Sequence, residues 1–241
     1  MIYFCDGERI DITDGSFKLL NKYETLEGMS YEKNGLVYKI YYDDEEYFKE
    51  IGDTISEEEC KILTTIETEH FFLPKGIIYD ENGKYAGCKS IFIPPLAIGT
   101  KRIVERPIED FFDNLEEIKN DLKILAQNGV LIFDVGTNNM IDNGRINIFD
   151  AGSYTVDPTV SSLKIANNHY NEFNDLIGQI VSDEIKNASY NTRDYQEAID
   201  YFLGIAKRSN GIIKLLEKEA KNYASVCDFA QDIYKMKRLK R

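Results

Sequence analysis

Asp134, Asn139 and Asp150 are the side chains whose types and spacing could hold a divalent cation beside a substrate. They lie in residues 131–154, LIFDVGTNNMIDNGRINIFDAGSY. Asp134 opens a polar loop and Asn139 closes it. Asn143-Gly144 is a strong hairpin signal, because a type I′ turn needs positive φ at both central residues. A two-residue turn there sets Asp142 opposite Arg145, Met140 opposite Asn147 and Asn139 opposite Ile148. Asp150 then falls on the same face as Asn139, as its diagonal neighbour, roughly 7–8 Å away at the backbone. A carboxylate and an amide oxygen so placed can share one hard cation. Asp134, at the mouth of the loop, is free to face a substrate. The plain alternative is an exposed β-hairpin with polar residues in its loop.

Asp134 with Asn139 five residues on, then a short hairpin, then Asp150-Ala151-Gly152, resembles the catalytic loop and the Asp-Phe-Gly motif of the protein kinase-like superfamily. In that family the loop Asp is the catalytic base, and the Asn and the Asp before Gly hold Mg²⁺. The resemblance implies those roles for Asp134, Asn139 and Asp150. The chain departs from the pattern where Ile132 and Phe133 replace the usual His and Arg, and where Ala151 replaces the Phe. Small-molecule and atypical kinases of the superfamily often lack both.

The elements that must position these residues can be read on either side. Residues 1–93 read mainly as strands. Asn34-Gly35 joins a run around residues 29–31 to LVYKIYY, and Asn82-Gly83 joins GIIY to YAGC, both as antiparallel hairpins. Lys39 sits in mid-strand. It either points to water from a wet face or, by the resemblance, is the strand lysine that offers a cation to the α/β-phosphates of ATP. Between the hairpins, Ile62, Leu63 and Ile66 mark a helix over residues 56–68. By resemblance this is the helix whose Glu, here Glu59, pairs with the strand lysine. Ser56-Glu57-Glu58-Glu59 also reads as a capping box, in which Glu59 returns to the Ser56 N–H. Glu59 cannot do both well; a helix starting near Asp44 would favour the ion pair. The phosphate-covering loop of the family is glycine-rich, so that backbone N–H groups approach closely. Here Gly28 stands alone in the expected place, with Gly15 in a turn further upstream.

Ile93-Pro94-Pro95 ends the strand pattern, since proline cannot donate a ladder hydrogen bond. The link between two lobes is placed there, with the backbone of residues 90–93 meeting adenine by resemblance. From Pro107 the period becomes helical. Ile108, Phe111, Phe112, Leu115, Ile118, Leu122 and Leu125 mark one apolar face, stopped by Asn128-Gly129. The short apolar run 130–133 then delivers Asp134. Residues 172–181 loosely resemble a further helix of the family, with no Ala-Pro-Glu motif before it. Residues 195–208 and 211–223 read as amphipathic helices with Ile199, Phe202, Leu203, Ile212, Leu215 and Leu216 inward. The resemblance spans about residues 15–185. It implies an α+β, bilobal kinase-like fold, with a β-rich nucleotide-binding lobe over 1–93 and a small helical lobe over 94–241.

Composition narrows the partners. The 241 residues carry a net charge of −13 with 43% apolar residues, enough for a real core. Such acidity disfavours nucleic acid and anionic membrane, which require a positive surface. Five of the 29 basic residues cluster in KMKRLKR at 235–241, read as a solvated helix end. Cysteines 5, 60, 88 and 227 form no CxxC, and His70 and His169 are the only histidines, so a His-based metal site is poorly supported. The opening MIYFCDGERI has no basic region followed by an apolar run, and no stretch approaches a membrane span. These features lead us to expect a reduced, cytoplasmic-type soluble protein.

Three functions follow. The first is an ATP- and Mg²⁺-dependent phosphotransferase acting on a protein Ser/Thr hydroxyl, with Lys39 on the phosphates, Glu59 holding Lys39, Asn139 and Asp150 on the metal and Asp134 as base. The second is a catalytically inactive pseudokinase acting as a binding or regulatory module for a protein partner. The third is nucleotidyl transfer on the same scaffold.

Overall fold

The computed structural model describes residues 1–20, 28–42, 54–94, 101–188 and 192–239. It is a mixed α+β structure in which a seven-stranded antiparallel sheet precedes a set of helices. The strands are β1 (Ile2–Cys5), β2 (Glu8–Asp11), β3 (Lys18–Leu19), β4 (Gly28–Lys33), β5 (Leu36–Tyr41), β6 (Gly76–Asp80) and β7 (Tyr85–Ile91), in the order β2-β1-β6-β7-β5-β4-β3. Helix α1 (Glu57–Leu63) lies between β5 and β6 in the chain.

The turns follow from residues that tolerate positive φ. Asn34 and Gly35 have φ +53° and +77°, a two-residue turn with Lys33 opposite Leu36. Asp6-Gly7 makes the same turn between β1 and β2, with φ +53° and +80°. Asn82-Gly83 differs. Only the glycine has positive φ, and the Asp80 N–H donates to Lys84 O across a three-residue loop.

Alternation along the strands puts one core on each face of the sheet. Tyr3, Cys5, Ile10, Ile40 and Ile78 form the smaller one. The other face joins a single large core through Cys60, Leu63, Leu73 and Cys88, which continues into the helices.

After α2 (Lys101–Glu105) comes α3 (Ile108–Gln127), with Pro107 before it and Gly129, φ +72°, after it. Its Ile108, Phe111, Leu115, Ile118, Leu122 and Leu125 are buried. At about 1.5–3 kcal/mol per buried side chain, this face outweighs the lack of a side-chain cap. Strands β8 (Val130–Leu131), β9 (Met140–Asp142), β10 (Ile146–Ile148) and β11 (Thr155–Val156) make two small pairs, β9 with β10 and β8 with β11. Helices α4 (Ser162–Asn187), α5 (Thr192–Arg208), α6 (Ile212–Glu219) and α7 (Val226–Leu239) complete the chain.

Several elements differ from the sequence reading. Helix α1 ends at Leu63 rather than Thr68. Helix α4 begins at Ser162, ten residues before Glu172, behind the N-cap Ser161. Leu203 is 44% exposed, not inward, whereas Ile199, Phe202, Ile212, Leu215 and Leu216 are buried. The helix start near Asp44, the loop just before Gly28 and Pro95 of the expected link lie outside the described residues. Among the described residues no helix is long and apolar enough to cross a membrane.

Candidate active site

Lys39 lies on β5, flanked by Ser30 of β4 and Cys88 of β7. Its neighbour Ile40 belongs to the smaller core, so Lys39 takes the opposite face, toward the helical part. It is not a wet-face lysine: its side chain is 16% exposed, and its Nζ meets Asp150 Oδ1 at 2.6 Å across 111 residues of sequence. The Asp150 side chain is 33% exposed.

Asp150 reaches this position by a route other than the one its spacing suggests. The β9–β10 register pairs Asp142 with Ile146, Ile141 with Asn147 and Met140 with Ile148. The loop therefore has three residues, and Asn139 no longer faces Ile148. This one-residue slip overturns the diagonal pairing of Asn139 and Asp150. Its cause is the Asp142 carboxylate, fully buried, which accepts the Gly144 N–H at 2.9 Å and the Ile103 N–H at 2.6 Å. Gly144 has φ +96°, whereas Asn143 is not in the positive region. Past β10, the Phe149 N–H donates to Asn139 O at 3.0 Å, and Asp150 turns off the ladder with φ +66° and ψ +68°.

Asn139 is committed to Asp134. Its Nδ2 donates to Asp134 O at 2.9 Å and to Asp134 Oδ2 at 3.2 Å. Asp134 is exposed and has φ +53°. Five non-glycine residues in the described chain have positive φ. Asp6 and Asn34 serve hairpins, Asn210 follows the end of α5, and the remaining two are Asp134 and Asp150. Holding a non-glycine residue there costs about 1 kcal/mol or more and recurs at functional sites.

Glu59 does not pair with Lys39 in the structure. Its Oε2 accepts from the Ser56 N–H at 2.9 Å and from Ser56 Oγ at 2.8 Å, while its own N–H donates to Ser56 Oγ. Its other oxygen, Oε1, accepts the Val156 N–H at 3.1 Å. The capping box and the tie to β11 occupy both carboxylate oxygens. Gly28 is the first residue of β4, opposite Tyr41, and a Cβ there would lie 2.1 Å from Ile40 O. Close strand packing accounts for that glycine without a phosphate.

One face of α4 holds the loop, through residues the sequence reading did not single out. Asn168 exchanges two hydrogen bonds with the backbone of Ile132, at 2.8 and 2.7 Å. Glu172 Oε2 accepts the Val135 N–H at 3.4 Å. Gln179 Oε1 accepts the Thr137 N–H at 3.0 Å, and Thr137 Oγ1 donates to Asp183 at 3.2 Å. A polar stripe at positions 168, 172, 179 and 183 has helical spacing and was the available signal. Burial raises the Glu172 carboxyl above the usual glutamate range; the Val135 N–H opposes this, and the charges of Asp175 and Asp134 add to it. Burial, then the charges of Asp150, Glu172 and Asp134, likewise push the Tyr154 phenol up. An open groove of about 560 Å³ adjoins the loop, lined by Thr137, Asn138, Asp175, Gln179, Asp183 and Leu203 among others.

Among the described residues no three His, Cys, Asp or Glu side chains gather as a metal site. Mg²⁺ commonly takes one or two carboxylates plus substrate phosphates rather than an all-protein cage. The donors here, the Asp150 carboxylate and the Asn139 carbonyl oxygen, are hard oxygens of that kind. No protein-family model matches the chain, and no curated protein matches it.

Proposed function

We propose that the protein is an ATP- and Mg²⁺-dependent phosphotransferase of the protein kinase-like superfamily. In this reading a β-rich lobe over residues 1–93 and a helical lobe over 94–241 share the nucleotide. The observation that carries the proposal is the Lys39–Asp150 contact at 2.6 Å, a strand lysine meeting the Asp of Asp-Ala-Gly. The hydrogen-bonded pair Asp134–Asn139 on the adjoining loop supports it, as does the positive φ of both aspartates.

Lys39 orients the α/β-phosphates, sharing its ammonium between them and Asp150. Asp150 would hold Mg²⁺, with the Asn139 carbonyl oxygen as the second protein ligand on this reading, and the ion would neutralise charge on the phosphates. Asp134, oriented by the Asn139 amide, accepts the proton of the acceptor hydroxyl. The exposure of Asp134 and the open groove beside Thr137 favour a Ser/Thr hydroxyl on a protein chain. Such transfer rests on positioning and charge stabilisation, so few residues suffice.

A second reading is a non-catalytic binding module. It is favoured by one observation, that Glu59 caps its own helix and binds Val156 instead of bracing Lys39.

The test is incubation of the full chain with Mg²⁺ and ATP labelled at either the γ- or the α-phosphate, beside Asp134→Asn and Asp150→Ala. Transfer of γ-label that is lost in both variants is the expected result. Transfer of α-label instead would assign nucleotidyl transfer. No transfer, together with no ATP-induced rise in melting temperature, would end both enzyme readings.

A further inference from the structure

We propose that Asp142 is a positioning residue: it holds the β9–β10 hairpin one residue out of the register its turn sequence favours, and so sets the spacing of Asp134 and Asn139 from Asp150. The consequence for phosphate transfer rests on the phosphotransferase reading. The hold on the register does not.

Two registers are open to this hairpin. In the observed one Met140 pairs with Ile148 and Asp142 with Ile146. One residue back, Asn143-Gly144 would form the two-residue turn that Asn-Gly favours, with Asn139 opposite Ile148 and Ile141 opposite Ile146. Apolar patterning does not choose between them, because each register makes one apolar pair, Met140–Ile148 or Ile141–Ile146. Turn chemistry favours the second. The Asp142 carboxylate decides for the first. It is fully buried; its Oδ1 accepts the Gly144 N–H at 2.9 Å and its Oδ2 the Ile103 N–H at 2.6 Å. Ile103 lies in the first turn of α2, where a backbone N–H has no helical acceptor. Arg106, just past α2, donates from Nη1 to Gly144 O at 3.0 Å and grips the same loop. In the other register Asp142 would turn away to stand opposite Arg145, leaving the buried Ile103 N–H unpaired, which is unfavourable.

Strand β10 is the anchored side. Ile146 N–H donates to Asn114 Oδ1 at 2.9 Å, Ile148 N–H to His70 O at 2.6 Å, and Phe72 N–H to Ile148 O at 2.7 Å. A slip therefore moves β9, and Asn139 with it, by one residue or about 3.3 Å. Asn139 carries Asp134 through its two hydrogen bonds, whereas Asp150 follows the anchored strand. The register thus fixes Asp134 and Asn139 relative to Lys39 and Asp150. A misplacement of about 1 Å can already cost about a hundredfold in rate.

Cross-strand nuclear Overhauser contacts in the full chain read the register without nucleotide. Wild type is expected to show Met140 against Ile148. In Asp142→Asn one acceptor oxygen becomes an amide nitrogen, and the contact is expected to pass to Asn139–Ile148, with γ-phosphate transfer down about a hundredfold. Adding Asn143→Thr, whose β-branch resists the positive φ of the two-residue turn, is expected to restore both the Met140–Ile148 contact and the transfer. A general loss of stability would not be repaired in this way. Should Asp142→Asn alone fail to fold, recovery of fold and register in the double variant supports the proposal. Persistence of Met140–Ile148 in folded Asp142→Asn overturns it. So does a shift that the double variant does not reverse, a shift that leaves transfer intact, or failure of both variants to fold. A shift of register in a protein whose wild type transfers no phosphate overturns the phosphotransferase reading and leaves the hold on the register standing.

Discussion

Two polar clusters join distant parts of this chain, and they differ in what surrounds them. In the first, Asp121 is 3% exposed and accepts the N–H groups of Glu69 and His70 at 3.0 and 2.7 Å. The buried His70 ring meets Ile146 O at 2.6 Å and Glu117 at 3.0 Å, and Arg145 bonds both Glu69 and Glu117. In the second, Lys39 meets a partly exposed Asp150 on a backbone with positive φ. The first cluster is centred on the buried Asp121 and His70, whose partners are backbone and side-chain groups of the protein. The second places one of its two members on a positive-φ backbone, a feature that recurs at functional sites.

The sharpest way to break this contrast is to exchange the effects. Lys39→Met and Asp150→Asn are expected to lower γ-phosphate transfer about a hundredfold or more, while moving unfolding free energy by about 1 kcal/mol or less, as a partly exposed pair does. Labelled transfer and urea unfolding measure the two. A large loss of stability would move this pair into the structural class.

Asp121→Ala should do the reverse. It strands backbone N–H groups in the interior, a loss of about 3 kcal/mol, seen as a lower urea midpoint. Transfer per folded molecule should persist.

Glu59→Ala sharpens the comparison at smaller scale. Loss of the capping box is expected to cost about 1 kcal/mol, with the ATP-induced rise in melting temperature unchanged. A weakened ATP response would show that Glu59 reaches Lys39 in the nucleotide-bound state.

The smallest effect concerns pH. His169 is buried, its Nε2 donates to Val130 O at 2.9 Å, and burial holds its pKa below the ordinary 6.5 against that carbonyl. A histidine depressed in the folded state adds stability above the unfolded value, and that contribution is lost as pH falls through 6.5 toward the folded value. Urea midpoints of wild type should drop over that range, and those of His169→Gln should drop less.

Much of the fold could be read from local chemistry. Asn34-Gly35 took the two-residue turn its type predicts, and α3 runs over the apolar stripe from Ile108 to Leu125. Asp6-Gly7 carries the same dipeptide signal and makes the same turn. Asn143-Gly144 differs from its expected two-residue turn because the same dipeptide serves a three-residue loop when a neighbour intervenes. That neighbour, Asp142, is fixed by the Ile103 N–H, 39 residues away, and no local pattern reports such a partner. The start of α4 was hidden by Asn167, Asn168 and Asn171, weak helix formers; Asn168 is among the residues that hold the loop. Of the expected site, Lys39 with Asp150 and Asp134 with Asn139 came together. Glu59 did not, because its carboxylate is taken by the Ser56 cap and the Val156 N–H, and a cap three residues away needs no tertiary alignment.

The short parallel bridge between Phe71 and Ile148 ties two segments that are far apart in the sequence. There Ile148 N–H donates to His70 O at 2.6 Å and Phe72 N–H donates to Ile148 O at 2.7 Å. Two bonds to one residue act as a rivet between the segment entering β6 and the hairpin that leads to Asp150. Sliding would shear both bonds, whereas pivoting about the rivet leaves them whole. On the two-lobe reading proposed above, Lys39 would part from Asp150 by rotation about the seam at Ile148 rather than by sliding.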